Sequence, residues 1–315
     1  MRPRIHATSL MHEAGLAAIL AGVLALAWLV DPAFMSPSTQ LELSSHVFEL
    51  ALLSLPMTFI IVSGGIDLSV GSTMALAAVV LGLMHEARVS IWLASAAAIT
   101  AGTAAGLLNG LFVARFRVHP LVVTLATLAA YRGLAEGISL GRPISGFPSQ
   151  FLWLGSGTCL GVPIPGIVFG ACAILVALAV WRWVPARWVY AIGDNEIAAR
   201  RSGVPVGGVK LALFGLCGAA AGLAGVLFVA RRNTAKADIG NGMELEVITA
   251  VVLGGASITG GRGTILGTIL GVAIIHEVRE LMSWRWQRDE LILIVVGLIL
   301  IGSVLLNRLA SARRT

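Results

Sequence analysis

Residues Ile91 to Val113 read IWLASAAAITAGTAAGLLNGLFV, an unbroken apolar run without a charged side chain. A helix rises about 1.5 Å per residue and a bilayer's hydrocarbon core is about 30 Å thick, so about 20 such residues span it. Working outward, similar blocks precede it at Ala14 to Val30, Val47 to Val62 and Leu68 to Met84. Others follow at Leu121 to Glu136, Gly161 to Trp181, Leu211 to Ala230, Leu245 to Ile258, Thr264 to Leu281 and Leu291 to Leu306. The pattern predicts an all-α integral membrane protein of about ten transmembrane helices. Several blocks fall short of a full crossing, and one or two are expected as half-helices.

Composition agrees with a bilayer as solvent. The 315 residues are 57% hydrophobic and 12% charged, with a mean hydropathy of +0.91, values foreign to soluble domains. Ten spans use most of the chain, so residues 1–315 are expected to form a single transmembrane domain. The net charge of +6 balances 22 Lys and Arg against 16 Asp and Glu, scattered between apolar blocks. Such an excess marks cytoplasmic loops and no nucleic-acid surface. With the N-terminus inside, most basic residues fall on cytoplasmic segments, but Arg231, Arg232 and Lys236 gather on the opposite side. Arg2 and Arg4 precede the run Leu16 to Val30, which reads as an uncleaved first span. Cys159, Cys172 and Cys217 show neither close pairing nor metal-ligand spacing and read as small packing residues.

Two segments echo each other: Ser63-Gly-Gly-Ile-Asp-Leu-Ser-Val-Gly71 and Leu253-Gly-Gly-Ala-Ser-Ile-Thr-Gly-Gly261. Gly64, Gly65, Ser69 and Gly71 align with Gly254, Gly255, Thr259 and Gly261, as an internal pseudo-repeat would require. Paired interrupted segments mark a transport path, because unwound backbone at membrane depth needs protein or a water-filled cavity around it. Glycine pairs that merely shorten two loops explain the echo as well. Gly106 and Gly110, Gly218 and Gly222, and Gly263, Gly267 and Gly271 stand four apart, the spacing that lets helix backbones approach closely in lipid.

Asp67 stands between two apolar blocks, where a charge near the bilayer centre costs about 2.5–3.5 kcal/mol on insertion scales. It either faces a solute path beside Ser63 and Ser69 or caps the helix beginning near Leu68; the cap is the preferred reading. Asn109, Thr124, Thr127, Tyr131 and Arg132 are further polar groups in or at the ends of spans. Thr124, Thr127 and Tyr131 share one helical face. Ser63, Asp67, Ser69, Asn109, Thr124, Thr127 and Tyr131 are therefore candidate translocation-path residues, with interhelical hydrogen bonding as the commoner use of such groups.

The most informative polar stretch is Pro185 to Lys210, PARWVYAIGDNEIAARRSGVPVGGVK. Asp194 is expected to cap a short helix. Asp194 and Glu196 suit its positive start, Arg200 and Arg201 its negative end, and Gly203 and Pro205 stop it. A bare connection needs no such helix, whereas one presented on the cytoplasmic face docks in a groove of a soluble partner. Ala198 and Ala199 would allow close approach and the arginines would meet carboxylates; a solvated loop helix is the plainer alternative. Lys210 is followed by Leu211 and Lys236 by Ala237, so the phosphate-cradling GxxxxGK[ST] loop is missing and the chain is not expected to hydrolyse ATP. His12, His85 and His276 each precede a Glu, but no HExxH metal pair follows, and no metal site is expected.

At these residues the chain resembles the permease family of bacterial sugar importers driven by ATP-binding cassettes, which includes ribose, xylose, rhamnose and autoinducer-2 permeases. The likeness rests on VSGGIDLSVGS (Val62 to Ser72), HPLVVTLATLAAYRGLAEGIS (His119 to Ser139), GDNEIAARRSGVPV (Gly193 to Val206) and GNGMELEVITAVVLGGASITGGRGTILGT (Gly240 to Thr268). The resemblance implies a permease of the bacterial inner membrane working with a second permease subunit, identical or different. It also implies separate ATPase subunits that hold ATP and Mg, and a periplasmic solute-binding protein; this chain itself would bind no cofactor. The implied coupling segment, within residues 185–208, falls on Gly193, Asp194, Asn195, Glu196, Ala198, Ala199, Arg200, Arg201 and Gly203. The implied solute is a simple sugar or sugar-like molecule of the autoinducer-2, rhamnose or pentose type. An ion-coupled secondary transporter is the alternative, but it needs ionisable groups within the spans, and most charges besides Asp67 and Arg132 lie near span ends. No catalytic constellation supports an embedded enzyme.

Overall fold

Each of the ten apolar blocks holds a helix in the computed structural model, which describes residues 7–286 and 289–312. The chain begins with α1 (Ala7–Val30), α2 (Pro37–Ser44), α3 (Phe48–Val62), α4 (Val70–Glu86), α5 (Ile91–Ala114) and α6 (Pro120–Ser139). A non-spanning excursion follows, of β1 (Ile144–Ser145), α7 (Ser149–Ser156), β2 (Thr158–Cys159) and β3 (Val162–Pro163), leading into α8 (Ile164–Arg182). Then come α9 (Val184–Asp194), α10 (Glu196–Arg201), α11 (Val206–Arg232), β4 (Thr234–Ala235), α12 (Met243–Leu253), α13 (Ile265–Trp286) and α14 (Asp289–Ala312). Strand β1 pairs antiparallel with β4, Ile144 opposite Ala235, and β2 with β3.

Length divides these helices. Among the described residues, α1 from His12, α5, α6, α8 and α11 are long and apolar enough to cross a membrane, and α2 with α3, bent by 55°, makes a sixth if taken as one span. The 11 residues of α12 rise only about 16 Å, half a crossing. The block Leu245 to Ile258 is thus a half-helix that stops at Leu253. The 17 residues of α4 reach about 25 Å. Fourteen helices are present among the described residues, then, of unequal reach, and the expected count of ten spans is not reproduced by length: five helices, or six with the bent pair, are long and apolar enough to cross.

The glycine rows set the closest approaches. Gly102 and Gly106 of α5 face Gly218 and Gly222 of α11, where a β-carbon on Gly106 would come within 2.9 Å of the Gly218 backbone. Gly271 of α13 packs against the α12 backbone, where its β-carbon would stand 3.0 Å from the Gly254 nitrogen. Small residues lower helix separation in lipid, where no hydrophobic force drives helices together. Around this centre α3 is buried along most of its length, and the Thr58 and Thr268 hydroxyls, 2.7 Å apart, tie it to α13. The outward faces of α1 and α8 are apolar, with Leu29, Ile174, Leu175 and Leu178 exposed. Exposed Trp92 at the start of α5 and Trp181 and Trp183 at the end of α8 stand where indoles anchor helices at membrane interfaces.

One member of the basic cluster that runs against the charge bias, Arg231, has a structural reason to be there. Arg231 turns inward at the end of α11 and donates to Glu49 Oε1 of α3 through Nε at 3.0 Å and Nη2 at 2.9 Å, both side chains being buried. It is a packed ion pair and not a loop cation, so it carries little topological information.

Candidate functional site

The two echoing segments end their helices by the same device. Gly64 (φ +80°) and Gly255 (φ +95°) adopt the left-handed conformation that glycine reaches without a β-carbon clash. In the first, the amides of Gly64 and Gly65 donate to the carbonyls of Ile61 and Ile60, each at 2.9 Å. In the second, the amides of Gly255 and Ala256 donate to Val252 at 3.0 Å and Val251 at 3.2 Å. Both are Schellman turns. The structural register therefore sets Gly64 against Gly255 and Gly65 against Ala256, one place from the sequence alignment that sets Gly64 against Gly254. Gly254 has φ −63° and is required for a different reason, the Thr268 nitrogen lying 2.7 Å from where its β-carbon would be. Beyond the turn the correspondence lapses, because Gly71 lies within α4 while Gly261 lies in the longer loop before α13.

These turns meet. The Gly261 amide donates to the Val62 carbonyl at 2.8 Å, joining the two by backbone alone. Gly193, next to last in α9, sits on this joint: a β-carbon there would overlap the Val62 carbonyl oxygen and the Gly261 nitrogen. Gly260 (φ +91°) lies against Gly193 in turn, its β-carbon position 2.7 Å from the Gly193 oxygen. Tyr190, one turn earlier, donates its hydroxyl to the Gly263 carbonyl at 3.1 Å. Three motifs far apart in the chain thus converge at one point.

From this joint α10 projects. Its cap is Asn195 and not Asp194: Asn195 is extended (φ −157°, ψ 99°) and its Oδ1 accepts the Ala198 amide at 2.9 Å, while Asp194 closes α9. Glu196 receives Arg200 Nη2 on Oε1 at 2.9 Å and Lys210 Nζ on Oε2 at 2.7 Å. Partial burial raises the Glu196 pKa, but the hydrogen bonds and charges of Lys210 and Arg200 outweigh it and hold the carboxyl below its ordinary value. Ala199 turns inward and is 6% exposed, so of the two alanines only Ala198 faces outward, beside Ile197 at 66% exposed. Arg201 is exposed and in no ion pair among the described residues. Gly203 (φ +85°) ends the segment. Sequence reasoning passed over Tyr190, Ile197 and Lys210; the apolar Ile197 amid charged neighbours was the one visible signal.

Four of the candidate path residues form a single buried network. Asp67 Oδ1 accepts the Ser69 amide at 2.9 Å and hydroxyl at 2.7 Å. Ser69 Oγ accepts Asn109 Nδ2 at 2.8 Å, and the Tyr131 hydroxyl lies 2.9 Å from the Ala105 carbonyl and 3.3 Å from Asn109 Oδ1. Loop 63–69, α5 and α6 are thereby tied together. Asp67 bonds the turn ahead of α4, whose cap position is Ser69, so the helix starts at Val70, two residues later than expected. Ser63 and Thr127 bond carbonyls of their own helices at Ile60 and Val123, while Thr124 donates both to Pro120 of its own helix at 3.0 Å and to the Ile66 carbonyl of loop 63–69 at 3.4 Å. Arg132 donates to the Ala237 and Ile239 carbonyls, the latter at 2.8 Å, and holds the loop before α12.

The family model described as branched-chain amino acid transport system / permease component matches residues 40–304, a span that takes in both turns, the network and the segment 193–203. The chain belongs to this family. The permease is 35% identical over 311 residues to the ribose import permease protein RbsC of Bacillus subtilis (strain 168), covering 98% of this chain and 97% of that protein. Its identity to the RbsC of Escherichia coli (strain K12) is 34% over 306 residues, covering 95% and 94%. To the autoinducer 2 import system permease protein LsrD of Yersinia enterocolitica it is 36% over 300 residues, covering 90% and 91%. No solved structure matches the permease. It is an all-α, multi-pass membrane protein and one component of a transport system.

Proposed function

We propose that this chain is the membrane-spanning subunit of an importer driven by ATP-binding cassettes, carrying a simple sugar or sugar-like solute across the inner membrane into the cytoplasm. The names of the similar permeases, for ribose and autoinducer 2, support the solute class. The carrying observation is the seat of Gly193 on the hydrogen bond between Gly261 and Val62. Force applied to α10 by a soluble partner reaches both interrupted segments through one contact, with no flexible linker between. Ile197, Ala198 and Arg201 form the outward docking face, and Asn195, Glu196 and Lys210 keep it rigid.

In this reading the chain forms one transmembrane domain and works beside a second permease subunit. The ATPases hold ATP and Mg, and a periplasmic solute-binding protein delivers the solute. The polar network of Asp67, Ser69, Asn109 and Tyr131 borders the path, and its repacking accompanies the change of access.

The test is a tagged pull-down from gently solubilised native membranes. A P-loop ATPase is expected with the wild-type chain and at least tenfold less with Arg201→Glu, at unchanged melting temperature. Arg201 is the informative position, because reversing Arg200 would also break its bond to Glu196. Full recovery with Arg201→Glu refutes the docking face. Uptake that persists without ATP and follows an ion gradient refutes the importer and favours the ion-coupled transporter.

A further inference from the structure

A cavity of about 200 Å³ opens where the end of α5 and the starts of α6 and α11 meet α10, lined by Arg117, His119, Arg200, Lys210 and Glu196 among others. Three permanent cations face one carboxylate. Glu196 spends both oxygens on Arg200 and Lys210, and Arg117 is in no ion pair among the described residues. The cavity therefore holds a net positive charge that no ion pair among the described residues neutralises. Val113, Ala114 and Pro120 in its wall are terminal residues of candidate spans, which sets it at the depth of lipid headgroups. On the same helix ends, within two residues in sequence of its lining, stand exposed apolar side chains: Phe116 is 61% exposed, Val122 60% and Phe112 39%.

We propose that this cavity binds the phosphate of an anionic phospholipid, whose acyl chains lie against Phe112, Phe116 and Val122. The phosphate meets Arg117 and Lys210, and a basic pocket between helix ends suits such headgroups. The exposed apolar flank distinguishes a lipid from a free anion, which has no use for it. Because Arg200 and Glu196 belong to both the cavity wall and α10, bound lipid stiffens the segment that a soluble partner would grip.

The test uses the full chain in detergent, titrated with phosphatidylglycerol, phosphatidylcholine or inorganic phosphate. Melting temperature and lipid retained in native mass spectrometry are the readouts. Arg117 has φ +56°, so Arg117→Asn, which tolerates that conformation, removes the charge without added strain, and Arg117→Lys keeps it. The expected result is a rise in melting temperature with phosphatidylglycerol alone. Retention should exceed that of phosphatidylcholine at least threefold, be lost in Arg117→Asn and be kept in Arg117→Lys. In the wild-type chain, about 1 M salt should strip the lipid by screening, a readout that survives if the variant fails to fold. Equal effects of the two lipids, an unchanged rise in Arg117→Asn, or salt-resistant retention overturns the proposal. Full reproduction by inorganic phosphate assigns a free anion instead. Loss of ATPase recovery in Arg117→Asn without any lipid dependence assigns a partner carboxylate.

Discussion

Replacing Gly193 by alanine tests the joint between α9 and the two glycine turns. The added methyl overlaps the Val62 oxygen and the Gly261 nitrogen and stands 3.0 Å from the Val62 carbon. All three are backbone atoms of packed turns, so no side chain can swing aside. Two costs follow. Separating the strands of the joint breaks the 2.8 Å bond from the Gly261 amide to Val62 and leaves polar groups unpaired, about 1–3 kcal/mol. Overpacking adds about 1–3 kcal/mol. Together they amount to about 2–6 kcal/mol, and since 1.4 kcal/mol is tenfold, the Gly261 amide should exchange with deuterium at least about 30-fold faster. Uptake of solute in reconstituted vesicles should fall in parallel. Gly208→Ala is the control: Gly208 lies in α11 with nothing within 4 Å of its β-carbon position, so both readouts should stay at wild-type levels. Unaltered Gly261 exchange in Gly193→Ala, with uptake intact, refutes the joint as a route of force.

Two other outcomes follow from ion pairs. Removing one member of the buried Glu49–Arg231 pair, as in Arg231→Met, should cost about 3–5 kcal/mol because the remaining charge is stranded; the double variant Glu49→Leu, Arg231→Met should recover most of the melting temperature. A double variant as unstable as the single one would show that packing, not charge, governs the site. Glu196 has its pKa held below the ordinary value, so its contribution to α10 is complete at neutral pH and lost as pH falls through that lowered value. Amide exchange in α10, corrected for intrinsic rates, should rise only under acid conditions and by less than about 1 kcal/mol, since the pair is partly exposed. In Glu196→Gln that pH dependence should vanish; its persistence would place the titrating group elsewhere.

The all-α class and the membrane solvent were legible in the chain because apolar runs such as Ile91 to Val113 declare themselves by length and composition, with no tertiary knowledge needed. The short helix 196–201 was legible as well, since its charges, Gly203 and Pro205 are local signals. Its cap was not: Asp194 and Asn195 are both good caps, and which one serves depends on where α9 ends, which the seat of Gly193 on Val62 and Gly261 decides. The register of the repeat was misplaced by one for a similar reason. Two adjacent glycines look alike in sequence, whereas only the one at positive φ makes the turn.

What the sequence determined by itself was the solvent, the all-α class and the family, because these follow from local composition and local spacing. Only the tertiary structure decided that Gly261, in the loop beyond the second turn, is bonded to Val62 at the end of α3, that Gly193 rests on that bond, and that Asp67, Ser69, Asn109 and Tyr131 form one network. It also decided that Arg231 is spent on Glu49. Contacts between residues about 20 to 200 positions apart are set by how closely packed backbones approach. That distance is governed by the joint absence of β-carbons on two facing surfaces, which no single stretch of sequence can specify.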